Sequence, residues 1–120
     1  MKNKFKKVYS LAHQAGYRNY TVKDLINLKG KKKLTQINVV SAEEAAAAEA
    51  AGIDMIICGV DQLKEIREAA PNTFLTCGIK YTEHASKESM MKKVFELIEI
   101  GVDSIHCLLY TSDAADDFTS

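Results

Sequence analysis

From residue 34 to residue 106 the chain alternates short apolar runs with segments of helical spacing, and this rhythm constrains its fold more than any other feature. The run Met55-Ile-Ile-Cys58 is apolar throughout, which is typical of a strand buried on both faces. Strands separated by helices pair in parallel through right-handed crossovers. The rhythm therefore predicts an α/β fold with a parallel sheet. The predicted strands are 34–40, 55–58, 73–77 and 102–106.

Capping residues and glycines mark where the helices begin and end. Ser41-Ala-Glu-Glu44 is a capping box, in which the serine hydroxyl accepts from the Glu44 amide and the Glu44 side chain can reach back. Thr21 is a suitable N-cap for a short helix, and Gly52 follows the helix that Ser41 begins. The predicted helices are 22–28, 42–51, 61–70 and 87–100.

One further helical segment is predicted before the rhythm begins. Phe5, Val8 and Leu11 recur near helical spacing, and a glycine follows where such a helix would end. We therefore predict a helix over residues 5–15 and assign residues 1–20 to an N-terminal helical segment.

Two architectures are compatible with the alternating strands and helices. One is the N-terminal half of a (βα)8 barrel, and the other is an open doubly wound sheet. No G-x-G-x-x-G fingerprint follows any predicted strand, so the sequence offers no sign of a dinucleotide site. Both architectures remain open at this point.

The charge of the chain is balanced overall but unevenly placed. Hydrophobic residues make up 47% and charged residues 27% of the 120 residues, which is typical of one globular domain and not of a disordered chain. Residues 1–33 hold ten Lys or Arg and one acid, whereas the remainder holds six bases and fifteen acids. This basic segment could meet an anionic partner, but it lacks the aromatic–basic interleaving of single-strand binders. We expect a solvated basic surface and no nucleic-acid partner.

The cysteines and the N-terminus indicate a reducing compartment. Cys58, Cys77 and Cys107 are far apart in sequence, and no C-x-x-C pair occurs. We expect buried, reduced thiols without a metal or redox role. No apolar run approaches the roughly 18 residues of a membrane span, and the basic N-terminus has no apolar segment of a signal peptide. We therefore expect a cytoplasmic protein without a membrane partner.

The last segment departs from the rhythm and resembles a translated sequencing adapter. Residues 107–117 read C-L-L-Y-T-S-D-A-A-D-D, which is the read-through product of a transposase-type library adapter in one frame. We expect residues 107–120 to be a non-native tail and exclude them from reasoning about fold and function. The tail also predicts that the gene was interrupted near residue 106.

Four stretches together resemble ketopantoate hydroxymethyltransferase. The similarity spans about residues 21 to 106 and rests on the order and spacing of short motifs. Here the stretch between the second strand and Ala70-Pro71 is shorter than the family's long loop and helix. The four stretches are Thr21-Val-Lys-Asp-Leu with the lysine-rich run that follows it, Ala50-Ala-Gly-Ile-Asp-Met-Ile-Ile-Cys-Gly59, Ala70-Pro-Asn-Thr-Phe-Leu-Thr-Cys77, and Gly101-Val-Asp-Ser-Ile-His106.

The resemblance implies a fold and a reaction. The fold would be a (βα)8 TIM barrel of the phosphoenolpyruvate/pyruvate-domain kind, with residues 21–106 as its truncated N-terminal part. The reaction would transfer a hydroxymethyl group from 5,10-methylenetetrahydrofolate to 3-methyl-2-oxobutanoate in pantothenate synthesis. Mg²⁺ would bind the 2-oxo acid and stabilise its enolate, and the full-length parent would be a homo-oligomer.

The sequence departs from the family at the residues that bind the metal. The family's three acidic positions fall on Ser41, Val60 and Gly78, and the lysine of its fourth strand falls on His106. Asp61 lies one residue beyond the second of these positions. Because Mg²⁺ prefers oxygen ligands, most of the expected metal site is not matched.

Four residues at predicted strand ends remain as candidates for the site. We assign His106 and Lys80 to catalysis, Asp61 and Ser41 to substrate binding, and Asp61 also to metal binding. Each has a structural alternative: Asp61 could cap a helix, Lys80 could be a solvated loop residue, and His106 could simply line a barrel.

Three functions follow from these observations. The first is hydroxymethyl transfer to a small 2-oxo acid in the full-length parent. The second is another oxo-acid reaction, of the isocitrate lyase or phosphoenolpyruvate mutase type. The third is non-catalytic binding of a small ligand by a barrel that has lost its metal. The 120-residue chain itself is expected to be inactive, because a closed barrel needs strands that it lacks.

Overall fold

The computed structural model describes residues 5–9, 15–80 and 86–108, with the backbone alone for residues 107 and 108. Two antiparallel strands come first, followed by alternating helices and strands. In chain order the elements are β1 (Lys6–Tyr9), β2 (Ala15–Arg18), α1 (Val22–Leu28), β3 (Gln36–Asn38), α2 (Ala42–Ala50), β4 (Met55–Gly59), α3 (Leu63–Ala69), β5 (Phe74–Lys80), α4 (Lys87–Ile100) and β6 (Ser104–Leu108).

A four-stranded sheet forms the centre of the molecule, in the order β3-β4-β5-β6. Every neighbouring pair is parallel. Sequential order with parallel pairing is what the repeated strand–helix rhythm predicts. The predicted α/β class and the parallel sheet are therefore confirmed.

The helices cover one face of this sheet. Buried side chains from α2, α3 and α4 join a single cluster with alternate residues of β4 and β5, because successive strand residues point to opposite faces. Leu75 and Ile105 belong to this cluster or pack on it, so they face the helices. The members from the sheet are Ile56, Cys58, Leu75, Cys77 and Ile79, and those from the helices include Ala45, Ala48, Leu63, Ile66 and Leu97.

The helix boundaries follow the predicted caps closely. The hydroxyl of Thr21 accepts from the Asp24 amide, and the Asp24 carboxylate accepts from the Thr21 amide, which completes a capping box. The hydroxyl of Ser86 caps α4 by accepting from the Ser89 amide, and Gly101 ends that helix with a left-handed φ of 114°. A non-glycine residue would be strained at this φ.

The predicted N-terminal helix over residues 5–15 is wrong wherever the structure describes it. Lys6–Tyr9 and Ala15–Arg18 form two antiparallel strands with Val8 opposite Gly16. Arg18 explains why tertiary contacts override the weak helical spacing. Its guanidinium donates to Asp103 and to the carbonyls of Pro71 and Gly101, which hold the second strand in place. Residues 10–14 lie outside the described part of the chain.

A buried polar network closes the edge of the sheet at which the strands begin. Asp103 receives two hydrogen bonds of 3.0 Å from Arg18 and one of 3.1 Å from Arg67, and it also accepts from the Leu75 amide. Arg67 further donates to the carbonyls of Ala70 and Thr73 at 2.6 Å. Burial and the neighbouring Arg18 lower the pKa of Arg67 to about 10, so it remains charged at neutral pH.

Among the residues that the structure describes, no helix has the length and the apolar character needed to cross a membrane. The longest, Lys87–Ile100, has 14 residues and carries several charged side chains.

Candidate functional site

The four predicted site residues all lie at one edge of the sheet. Ser41 and Asp61 follow β3 and β4, Lys80 is the last residue of β5, and His106 lies in β6 opposite Gly78. Because the strands are parallel, their carboxyl ends share this edge, which we call the C-terminal edge. Barrel enzymes build their active sites at the corresponding end. The structure thus places the predicted residues on the same side of the molecule.

Strand register also defines a face of the sheet that the helices do not cover, here called the open face. It consists of the strand residues that alternate with the buried cluster. One row across it joins Asn38, Ile57, Thr76 and Ser104. The polar members of this row were not predicted from the sequence, although alternation within each strand would have placed them on this face.

The next row towards the C-terminal edge has little side-chain bulk. Gly59 lies opposite Gly78, and Gly78 lies opposite His106. A Cβ added at Gly59 would lie 3.4 Å from Oε1 of Gln62, so this side chain is the nearest neighbour above that glycine. Glycine within a strand often marks a place where another group approaches closely. Two glycines side by side therefore leave two neighbouring positions of this row without a side chain.

Ser41 already has a structural partner. It is the N-cap of α2, and its hydroxyl accepts from the Glu44 amide at 3.1 Å. Glu44 reaches back as expected, but its carboxylate accepts from the Val40 amide at 2.7 Å. The hydroxyl of Ser41 can still donate its proton to an acceptor at the C-terminal edge.

Asp61 is exposed and does not cap α3. The helix begins at Leu63 with Gln62 as its N-cap, and Gln62 makes no side-chain capping bond. Asp61 instead lies in the turn after β4. The structural alternative of helix capping is thereby removed for this residue, while its predicted binding roles stay predictions.

Lys80 and His106 are hydrogen-bond donors at this edge. Both are exposed, and both belong to the open face by register, with Lys80 paired to Leu108 and His106 to Gly78. An imidazole and an ammonium at neighbouring positions suit an anionic ligand such as a carboxylate. Their predicted catalytic roles remain predictions.

The residues at this edge do not fit a divalent metal. Within residues 5–9, 15–80 and 86–108, no three His, Cys, Asp or Glu side chains lie close enough to hold an ion. The expected ligand positions carry Val60, directly after β4, and Gly78, within β5, and neither residue has a side-chain oxygen. Asp61 alone would leave a hard cation short of the several oxygen ligands it prefers.

Two buried cysteines lie in the helix-covered core and not on the open face. Cys58 and Cys77 are free thiols on adjacent strands, in register and inside the helix-covered core. The hydrogen bond between them lowers the pKa of Cys58 and raises that of Cys77, with burial adding to the rise. The predicted buried, reduced state is confirmed for these two, and the side chain of Cys107 lies outside the described residues.

The opposite edge also holds carboxylates, but they serve the fold. Asp54 accepts from the amide and hydroxyl of Thr35 and from the Tyr20 hydroxyl. Burial acts to raise the pKa of Asp54, but these hydrogen bonds outweigh it and hold the pKa below its ordinary value. Glu49 similarly accepts from the Asn72 amide and the Thr73 hydroxyl. A cleft of about 480 Å³ lies between these carboxylates.

Comparison with known proteins confirms the resemblance that the motifs indicate. The chain is 26% identical to a 3-methyl-2-oxobutanoate hydroxymethyltransferase from Kosmotoga olearia, and 24% identical to one from Thermosipho melanesiensis. The alignments cover 70% and 71% of this chain and 40% of each relative. The chain therefore spans about two-fifths of the length of these relatives.

Two further comparisons complete these findings. No family model matches the chain. A solved structure, the N-acetylmannosamine-6-phosphate 2-epimerase from Clostridium perfringens, superposes with a TM-score of 0.49 at 17% identity, over 88% of this chain and 52% of that one.

Proposed function

We propose that this chain is the N-terminal part of a (βα)8 barrel enzyme that transfers a hydroxymethyl group from 5,10-methylenetetrahydrofolate to 3-methyl-2-oxobutanoate. The observation that carries the proposal is the similarity to two hydroxymethyltransferases over 70% and 71% of this chain. The parallel sheet in sequential order, with α2, α3 and α4 on one face, supports the barrel.

The C-terminal edge supplies the groups that such a reaction needs from this part of the chain. The substrate is a small anion whose carbonyl oxygen gains negative charge when the neighbouring carbon loses its proton. His106 would donate a hydrogen bond to that oxygen or to the carboxylate, and Lys80 would add a positive charge. Ser41 and Asp61 would contact the polar end of the substrate. Because the acidic positions are not matched, no step is assigned to a metal here.

The remaining partners follow from the same proposal. The methylene group would come from the folate, whose site would be formed with strands beyond those described. The parent would act in the cytoplasm on pantothenate synthesis, as a homo-oligomer. Mg²⁺, which the resemblance implies, would require ligands from outside this chain.

A second function, non-catalytic binding of a small carboxylate, is favoured by one specific observation. The positions of the expected metal ligands carry Val60 and Gly78, and the described residues contain no metal cluster. A barrel that keeps the pocket and loses the metal would bind the oxo acid without transforming it. Another oxo-acid reaction of the isocitrate lyase or phosphoenolpyruvate mutase type remains the enzymatic alternative.

Assay of the full-length parent separates these functions. The protein is incubated with 5,10-methylenetetrahydrofolate, 3-methyl-2-oxobutanoate and Mg²⁺, and ketopantoate is measured by mass spectrometry. Transfer above the rate without enzyme supports the proposal, and a His106→Gln variant should reduce it by at least about tenfold. Binding without transfer would favour the binding protein. The 120-residue chain is expected to give no transfer.

A further inference from the structure

We infer that a second apolar side of α4 is a self-association surface, through which two copies of this chain pair with their α4 helices antiparallel. This side, here called the α4 stripe, consists of Met91, Phe95 and Ile98, of which the first two are exposed and the third is half-buried. It belongs neither to the C-terminal edge nor to the open face. The inference therefore goes beyond the proposed function and does not rest on it.

Helix α4 carries two apolar sides, of which the sheet uses one. Leu97 is buried in the core cluster, and Met90 and Val94 pack against that cluster. The α4 stripe follows the spacing i, i+4, i+7 of a separate helix side. Within it, Met91 is 46% and Phe95 is 53% exposed. Because one apolar side is enough to pack a helix on a sheet, the second is available to another surface.

The neighbouring helix lies on a different side of α4. α3 packs beside α4, and the cleft between them is lined by Glu96 and Ile100 on one side and by Lys64 and Glu68 on the other. At 3.6 residues per turn, Glu96 and Ile100 lie across the helix from the α4 stripe. The stripe therefore faces away from α3.

Charge along α4 favours a second copy of the same helix as the occupant. Beside the α4 stripe, on the side away from the sheet, the first half of the helix carries Lys92 and the second half carries Glu99. In an antiparallel pair with its twofold axis near Phe95, Met91 of one copy lies beside Ile98 of the other. The same axis brings Lys92 of each copy near Glu99 of the other. Two symmetric ion pairs would then border the apolar contact.

The two charges are available for this contact. In the part of the chain that the structure describes, Lys93 and Glu96 pair at 3.4 Å, whereas the exposed Lys92 and Glu99 have no ion-pair partner. A parallel pair would place each of these charges beside its own copy, and like charges repel. The opposite charges of Lys87-Glu88 offset each other. Charge therefore favours the antiparallel orientation.

The length of α4 limits the strength of the contact. Its 14 residues span about 21 Å at 1.5 Å per residue, which is short for an interface that must bury roughly 1,200–2,000 Å² to be stable. We therefore expect a weak dimer in rapid exchange, with a Kd on the order of 10–100 μM.

Sedimentation velocity of the whole 120-residue chain tests the inference, over concentrations that span the expected Kd. Phe95→Ser should weaken the dimer by at least about tenfold, because an aromatic side chain at the centre of the contact is lost. The matched control is Ile26→Ser, which removes a 67% exposed apolar residue from α1. It should leave the Kd unchanged. A monomer at every concentration, or equal Kd values for wild type and Phe95→Ser, would overturn the inference.

A charge exchange tests the orientation of the helices. Lys92→Glu and Glu99→Lys should each weaken the dimer by at least about threefold, since each places like charges together. The double variant should return the Kd to within about twofold of wild type, because the ion pairs re-form with exchanged partners. Circular dichroism shows that each variant is folded. A double variant as weak as the single ones would contradict the antiparallel pair.

Nuclear Overhauser effects on a mixture of labelled and unlabelled chains test the same geometry directly. Within one helix, Met91 and Ile98 are about 10 Å apart along the axis, which is too far for a cross-peak. We expect an intermolecular cross-peak between the Met91 methyl group of one copy and Ile98 of the other. Cross-peaks between Met91 of both copies, or no intermolecular cross-peaks from the α4 stripe, would overturn the inference.

Discussion

The two edges of the central sheet are built in opposite ways. At the edge where the strands begin, Asp103, Arg18 and Arg67 form a buried network with backbone groups. At the C-terminal edge, Asp61, Lys80 and His106 are exposed. At the first edge, ion pairs and hydrogen bonds hold β2, the helix ends and the strands together, whereas the second edge exposes polar side chains to solvent. Barrel proteins separate stability and function in the same manner.

The largest expected effect is at the buried network. Asp103→Asn would leave two guanidiniums, with side chains only 10% and 8% exposed, without their shared counter-charge. Loss of one partner in a buried ion pair costs about 3–5 kcal/mol. Urea denaturation should show a loss of this size in the free energy of unfolding. The control Asp61→Asn should change the free energy of unfolding by less than about 0.5 kcal/mol. Similar losses for the Asp103 and Asp61 variants would show that the two edges do not differ in this way.

The next effect tests which face of the sheet carries the core. Leu75 is 1% exposed in the helix-covered cluster. Leu75→Ala should therefore destabilise the chain by about 2–4 kcal/mol. Ile57→Ala, on the half-buried open face of the neighbouring strand, should cost clearly less in the same denaturation experiment. The reverse order would show that the open face is the true core.

A smaller effect separates the capping role of Ser41 from its predicted contact with substrate. Ser41→Ala should cost about 1 kcal/mol through the lost N-cap bond, as should Ser86→Ala at the start of α4. Ser41→Asp should retain stability, because aspartate caps helices equally well. If binding of the oxo acid is measured on all three, a loss specific to the Ser41 variants supports the binding role.

The smallest effect concerns pH and lies at the edge where the strands begin. The pKa of Asp54 is lowered in the folded state from its ordinary 3.8. Its contribution to stability is therefore complete above that pH and disappears as the pH falls through the lower folded value. Asp54→Asn should flatten the decline of stability between pH 4 and pH 2 (roughly the range in which such a carboxylate titrates). Denaturant titrations at several pH values measure this decline in the free energy of unfolding. An equally steep decline in wild type and variant would show that the hydrogen bonds from Thr35 and Tyr20 have no effect.

The strand–helix rhythm was sufficient to predict the order of the elements. Helix 22–28 and helix 87–100 match their predicted bounds, because local caps such as Thr21 and Gly101 define them. The strands shift by one to three residues at their ends, since pairing with neighbours decides where a strand stops. Capping residues next to the helix ends were therefore enough to predict the bounds of these two helices.

The pairing of β1 with β2 could not be predicted in the same way. Its conformation depends on Arg18 meeting Asp103, which lies 85 residues away in sequence. The sequence around Arg18 does not indicate that Asp103 is its partner. The row formed by Gly59, Gly78 and His106 could not be predicted either, because these residues become neighbours only through strand register.

One measurement tests the separation of the two edges most directly. The full-length parent, His106→Gln and Asp103→Asn are each incubated with 3-methyl-2-oxobutanoate in D₂O, and loss of the proton next to the oxo group is followed by NMR. On the same samples, the free energy of unfolding is measured in urea. We expect His106→Gln to lose exchange of this proton without a change in the free energy of unfolding. Asp103→Asn should lose stability but, while folded, should retain exchange. Unchanged exchange in His106→Gln would contradict it.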